Sequence, residues 1–416
     1  MVLRRSIFLL ILASISIFLV TTNFLLTFLP PLDTNRVEKI PIKEKIQWEL
    51  AQLPSQYKTD SFVNNRWIES FLKNTRKKFH SNLNEVALRS LWEEANSWVS
   101  PKQLYNVNST NFGKVLFALK NADIVQADID TRGTQLKILL TLQGNQQVVF
   151  KPKWYSKDKV IEGSVTSGKD RYNSEIIGFY LSVIMKKPLC PLSVQRHISL
   201  KNDIIPVATE RLLSTSFKKN NKTCIFGKCF YCKMNDSVCD DENSGLTGAI
   251  IFNIKGNLEK FRSPWQRTYK SGKTAIWEQY PEKYCKSVKE KMPKSRLYDL
   301  IDVSIFDFLI QNGDRHHYET LGNNVIWLDN GKGLGNPYIH HIDILAPLYQ
   351  CCMLRKYTWK SLLELTGGKI KQNLELMPDI QTLTTQEHLT AIEERLLLVF
   401  ATFEFCRHKQ NDESLL

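Results

Sequence analysis

The alternation of apolar and polar positions divides this chain into stretches of different character. Residues 6–32 carry no charged side chain and follow Arg4 and Arg5. At about 1.5 Å of rise per helical residue, such a run is long enough to cross a bilayer. Positive charge on the short amino-terminal side places that side in the cytoplasm. Residues 33–125 read as a tether followed by helices, with Trp48, Leu50, Trp67, Phe71, Leu83, Leu91 and Trp92 as candidate packing positions. At Thr134 the pattern changes. Residues 135–142 and 147–151 read as two strands, with Gly144-Asn145 as the turn between them. Ile176, Ile177, Phe179, Tyr180, Val183 and Ile184 then mark an apolar helix. Leu297, Leu300, Ile301, Ile305, Phe308 and Leu309 recur at helical spacing until Asn312-Gly313 breaks the pattern. Residues 325–328 read as a short buried strand that ends in Asp329-Asn330-Gly331.

Between that last helix and strand lies Asp314-Arg315-His316-His317-Tyr318-Glu319, a dense polar run where a core connection would not normally carry charge. A helix, a loop that opens with Asp-Arg and a strand that ends in Asp form the layout of a phosphotransfer site. There a loop carboxylate accepts the proton of the substrate hydroxyl, and a second carboxylate after the strand holds the metal on the nucleotide phosphates. Hard oxygen ligands suit Mg²⁺ or Mn²⁺. Asp314, Glu319 and Asp329 supply the charge. Two plainer readings compete: a zinc site at His316-His317, which has no third ligand at suitable spacing, and a solvated turn.

Further residues fit the phosphotransfer layout in chain order. Lys151 ends an apolar strand, as does the lysine that pairs nucleotide phosphates in kinases. Glu175, at the start of the helix after Asp170-Arg171, would hold Lys151 and reach the metal; its plainer role is to complement the helix dipole. No Gly-x-Gly-x-x-Gly loop precedes the lysine, which argues against an ordinary protein kinase.

Composition narrows the setting. The 416 residues are 43% apolar with few glycines and prolines, enough for one large two-lobed domain or two domains. Cys224, Cys229, Cys232 and Cys239 crowd together, while Cys285, Cys351, Cys352 and Cys406 are dispersed. The crowded set has spacing for zinc or, at Cys229-x-x-Cys232, for a redox pair; export through the apolar run favours disulfides. Acceptor triplets for N-glycosylation at Asn108, Asn221 and Asn235 fit export as well. A net charge of +14 first suggests nucleic acid. Export and the absence of a visible nucleic-acid module argue against that partner, and a basic surface facing anionic nucleotide and acidic glycans is the more economical reading. Trp265, Tyr269 and Tyr349 are aromatic candidates for stacking on sugar rings, although aromatics at such positions are more often core.

The string Asp314-Arg315-His316-His317-Tyr318-Glu319 closely resembles the catalytic loop of the secretory-pathway kinase family that includes the glycosaminoglycan xylosylkinase and the Golgi casein kinase. The resemblance runs from about Trp92 to about residue 408. It implies an α+β, divergent two-lobed protein-kinase-like fold with a helical amino-terminal extension and a disulfide-stapled C-lobe. The corresponding boundaries are a cytoplasmic tail at 1–5, a signal anchor at 6–30, a luminal stem and helices at 31–90, an N-lobe at 91–255 and a C-lobe at 256–416. It implies Asp314 as base, ATP and Mn²⁺ (or Mg²⁺) as cofactors, Glu175 and Asp329 on the metal, and Glu319 at the nucleotide–metal site. Gln135 and Lys151 would touch the nucleotide, with Ile251, Phe252, Asn253 and Ile254 as the adenine hinge. It further implies the pairs Cys224–Cys239, Cys229–Cys232, Cys285–Cys351 and Cys352–Cys406, with Cys190 left as a buried thiol. Glu175 separates active members from a pseudokinase that lacks it.

Within the family, Asn221-Lys222-Thr223-Cys224, Gly335-Asn336-Pro337 and residues 345–352 lean towards the xylosylkinase branch, whose acceptor is the 2-hydroxyl of xylose in galactosyl-xylose of the proteoglycan linker. The segment from Pro337 to Asp343 departs from the acidic stretch usual there. The other branch implies a luminal kinase for Ser-x-Glu sites, and a third reading is a non-catalytic scaffold. The expected setting is the Golgi lumen as a single-pass type II membrane protein, with cleavage and secretion as the alternative. A homodimer or a heterodimer with a family member is also implied.

Overall fold

The computed structural model describes residues 41–60, 65–77, 84–229, 231–241, 245–270 and 272–410. The apolar run at 6–32 and Leu83 lie outside them. Among the described residues no helix is long and apolar enough to cross a membrane. The described residues from Ile46 onward pack as one unit.

Among the described residues, three antiparallel sheets provide the strand content. The largest contains β1 (Ile124–Ile129), β2 (Ile138–Leu142), β3 (Gln146–Pro152), β4 (Ser193–Ile198) and β8 (Leu246–Phe252), in the order β1-β2-β3-β8-β4. A second joins β5 (Ser216–Lys219), β6 (Lys222–Phe226) and β7 (Ser237–Cys239); the third has the order β11-β10-β9, from β9 (Leu258–Arg262), β10 (His317–Leu321) and β11 (Asn324–Ile326). The predicted strand at 135–142 begins only at Ile138, because the Gln135 side chain pairs with Asp170. That at 325–328 ends at Ile326, and the Trp327 N–H donates to Leu189 O.

The helix Tyr172–Ile184 is the centre of the packing. All of its residues are buried, and it contacts β4, β8 and the helix Lys294–Ile310. A helix buried all round cannot show a one-sided apolar stripe, which is why Glu175 and Ser174 stand among isoleucines without being surface positions. Helix Lys294–Ile310 is also buried along most of its length and stops at Gln311, whose backbone is left-handed (φ 60°). Burying an apolar side chain contributes about 1.5–3 kcal/mol relative to leaving it exposed, so these two helices fix the frame into which the site residues project.

Along β3, Val148 and Phe150 are buried, and Lys151 opposes Ala249 of β8 across the ladder. A Cβ on the neighbouring Gly248 would fall 2.5 Å from the Phe150 ring, so the close approach of the strands needs glycine there. Disulfides join Cys224–Cys239 and Cys229–Cys232 around the small sheet, and Cys285–Cys351 and Cys352–Cys406 among the carboxy-terminal helices. These are the pairs the resemblance implied, and Cys190 is a buried free thiol. Among the early packing candidates, Phe71, Leu91 and Trp92 are buried, but Trp48 is 60% exposed. Its helix, Ile42–Ala51, turns Ile46 and Glu49 inward instead. Asn108, Asn221 and Asn235 are all exposed.

Candidate active site

The site grows from Lys151. Its ammonium lies 2.5 Å from Glu175 Oε1, 2.5 Å from Asp329 Oδ1 and 3.3 Å from Asp170 Oδ2. Strand, helix and strand-end loop therefore deliver three carboxylates to one cation. Burial pulls the Lys151 ammonium down, but Asp329, Glu175 and Asp170 outweigh it and hold the pKa well above the ordinary lysine value. Asp329 is held far below the usual carboxylate range, by Lys151 first. Glu175 moves the other way: its burial, only partly offset by Lys151 and reinforced by Asp329, raises it. Three carboxylates therefore meet at the one ammonium of Lys151.

Position explains the division of labour. Glu175 is inside the protein, with Oε2 accepting from the Asn330 N–H at 3.2 Å. The Asp329 side chain is 65% exposed and reaches the cleft from a left-handed backbone (φ 57°), an uncommon conformation for a non-glycine residue. That cleft encloses about 170 Å³, and Gln135, Asp170, Asp314, Glu319 and Asp329 line it. Lys137, Lys260 and Lys332 stand around the same walls.

Asp314 faces this cleft from the loop after Asn312-Gly313. Its backbone N–H donates to Asn312 Oδ1 at 3.3 Å, and His316 donates its own N–H to Asp314 O at 2.8 Å. The His316 ring is raised above the ordinary histidine value, chiefly by its bond to Asp314. Behind the loop, the Arg315 guanidinium is buried and bidentate: Nε is 2.5 Å from Asp307 Oδ2 and Nη2 is 2.7 Å from Asp307 Oδ1. It also donates to Leu328 O at 2.6 Å and Asn330 Oδ1 at 2.8 Å. One side chain thereby ties the helix, the loop and the segment bearing Asp329 together. His317 belongs to β10, and among the described residues no group of three or more His, Cys, Asp or Glu forms a ready metal-ligand set. The zinc reading has no geometry behind it.

The structure therefore gathers Gln135, Lys151, Glu175, Asp314, Glu319 and Asp329 at one place. Ile251 and Phe252 lie in β8, which pairs with β3 beside Lys151, and the Asn253 N–H donates to Gln147 O; residues 251–254 are not among those lining this cleft. Trp265 and Tyr349 are core residues, with the Trp265 indole N–H donating to Gln350 Oε1 at 2.8 Å. Asp170, Lys137 and Lys332 were missed as site residues. The charges preceding the helix were visible at Asp170, but nothing local to the sequence directs its carboxylate to a lysine nineteen positions away.

Residues 90–415 match the family described as Golgi casein kinase, C-terminal, Fam20. The chain belongs to the Fam20 family. It is 44% identical over 331 residues to the glycosaminoglycan xylosylkinase homolog of Drosophila melanogaster, covering 78% of either chain. It is 42% identical over 342 residues to the glycosaminoglycan xylosylkinase of Homo sapiens, covering 79% of this chain and 83% of the relative. The solved structure of hydra Fam20 with sugar superposes with a TM-score of 0.73 at 37% identity, covering 81% of this chain and 99% of that one. The Golgi casein kinase with Mn/ADP bound shares the fold, with a TM-score of 0.72 at 23% identity over 90% and 92% of the two chains.

Proposed function

We propose that this Fam20 chain is a glycan kinase that transfers the γ-phosphoryl group of ATP to the 2-hydroxyl of xylose in galactosyl-xylose of the proteoglycan linkage region. The observation that carries a phosphotransfer site is the surplus of carboxylates around Lys151, facing a cleft walled by lysines. Three carboxylates converge on one ammonium, a set of oxygen donors that a divalent cation would complete. The oxygen donors are hard, as Mn²⁺ or Mg²⁺ requires, and the exposed Asp329 carboxylate with Glu175 behind it would hold such an ion. Bound there, the metal would supply charge neutralisation on the nucleotide phosphates.

The chain's own residues would do the rest. Lys151 orients the phosphates while Glu175 fixes Lys151, and Lys137 and Lys332 attract the polyphosphate into the cleft. Gln135 holds Asp170, and Glu319 stands at the nucleotide–metal side. Asp314 takes the proton of the attacking hydroxyl. The wall bearing Asp314 belongs to the C-lobe at 256–416 and the wall bearing Lys151 to the N-lobe at 91–255. The choice of sugar as acceptor is supported by the identity to named xylosylkinases and by the sugar in the hydra Fam20 structure. The Golgi lumen, a type II anchor at 6–30, glycans at the exposed asparagines and a dimer with a family member complete the proposal.

The test is transfer of labelled phosphate from ATP with Mn²⁺ by the full chain, offered a galactosyl-xyloside and a Ser-x-Glu peptide separately. Transfer to the sugar alone is the expected result. Transfer to the peptide alone would assign the chain to serine phosphorylation, and ATP binding without transfer to either would leave a scaffold.

A further inference from the structure

Tyr269 lies in the loop between β9 and the short helix Ile276–Gln279. Its side chain is 59% exposed, so water is at hand for its hydroxyl. That hydroxyl instead donates to Oδ1 of Asp314, forty-five positions away, and lies 3.4 Å from His316 Nδ1. The Tyr269 ring meets the His316 ring edge-on, at 6.2 Å between centroids and 84° between planes. A phenol held on a carboxylate is a charge-assisted contact, stronger than one between neutral groups. Its geometry is specific: the Asp314 N–H donates to Asn312 Oδ1 and the His316 N–H donates to Asp314 O, which fixes the main chain, while Tyr269 fixes the carboxylate.

We propose that Tyr269 is a positioning residue of the transfer reaction, pinning Oδ1 of Asp314 so that Oδ2 is presented to the acceptor hydroxyl. This rests on the assignment of Asp314 as base. In the step itself, the acceptor oxygen bonds to the γ-phosphorus as its proton passes to Asp314 Oδ2. The bond from phosphorus to the β,γ-bridging oxygen breaks, and ADP leaves with the electron pair. A carboxylate free to rotate about Cβ–Cγ would spend part of its time turned away from that proton, and a misplaced base loses rate without losing substrate affinity. The charged groups that act on Asp314 are His316 on its own loop and Arg171 and Lys332 across the cleft. Tyr269 is the uncharged donor among them. Its removal leaves Oδ1 of Asp314 without the partner that fixes it.

The experiment compares the full-length chain with Tyr269→Phe, using ATP, Mn²⁺ and the galactosyl-xyloside. The variant is expected to lower kcat about 10- to 100-fold, the effect of one charge-assisted hydrogen bond. Both KM values should stay within about two-fold of the parent. Tyr269→Ala, which also removes the ring, is expected to show the same fall in kcat. An unchanged kcat overturns the assignment. So does a rise in kcat/KM, because the hydroxyl would then be a cap that the acceptor must displace. If the parent chain transfers nothing to the sugar, the reading of the site fails and the assignment with it. If the parent turns over and Tyr269→Phe matches it, only the role of Tyr269 is lost.

Discussion

Asp329 and Asn330 are consecutive, yet they belong to charge clusters of opposite character. Asp329 joins Asp170 and Glu175 around Lys151, three acids for one base, with its own side chain open to the cleft. Asn330 joins Asp307 and Asn312 around Arg315, where charges balance one for one and every partner is internal. A third cluster, in which Arg355 and Lys187 meet Asp299 and Asp302, balances as well. Balanced clusters hold the chain together. The one with surplus charge facing a cleft is where a ligand of opposite sign belongs, since unpaired charge is tolerated only where something else completes it.

The sharpest way to break this contrast is to remove one member of each cluster. Asp329→Ala is expected to lower phosphate transfer by at least about 10³-fold, as loss of a group that positions transferring charge does. Its urea midpoint should fall only modestly, because Asp170 and Glu175 still pair the Lys151 ammonium. Arg315→Ala should do the reverse at the level of folding. It leaves Asp307 buried without its cation, at about 3–5 kcal/mol of stability, read from urea unfolding. Replacing the pair together by Arg315→Met and Asp307→Leu should recover most of that loss. A stable Arg315→Ala protein would end the claim that this cluster is structural.

A smaller effect concerns pH. Burial, helped by Arg395, pulls the buried His388 down from 6.5 to about 4. Its Nε2 faces Leu334 O at 3.1 Å and its Nδ1 faces the Thr385 hydroxyl at 2.9 Å. Above pH 6.5 the ring is neutral folded or unfolded and nothing is lost. As pH falls through 6.5 towards 4, the unfolded chain gains a proton that the folded one refuses, so stability declines by about 3 kcal/mol. His388→Gln should flatten this window, and a slope identical to the parent's would remove His388 as its source. The mildest expectation is that Lys137→Gln raises the KM for ATP about 2- to 5-fold with kcat unchanged, the behaviour of a screened, partly exposed charge. A large fall in kcat would place Lys137 at the chemistry instead.

These contrasts show what the sequence could and could not disclose. Lys151, Asp314 and Asp329 were legible because each sits at the end of a strand or helix whose apolar pattern stops there. Glu175 was legible for a related reason, opening a strongly apolar helix. The partners that tune them were not. Asp170 and Tyr269 come from loops, where no periodicity records which way a side chain points, and their contacts span 19 and 45 positions. Asp307 stood within a helix whose burial on nearly all sides hid its pairing with Arg315. Trp48 misled for the opposite reason: a large apolar residue carries no mark of the face it occupies, and single exposed aromatics are common.

The central claim is that the surplus of carboxylates at Lys151 is a site for a divalent metal with nucleotide. Isothermal titration of ADP with Mn²⁺ into the parent chain, Asp329→Asn and His388→Gln tests it without any acceptor. The account predicts Mn²⁺-dependent binding to the parent and to His388→Gln, and its loss in Asp329→Asn. Equal binding by Asp329→Asn, or binding to the parent that ignores Mn²⁺, would contradict it.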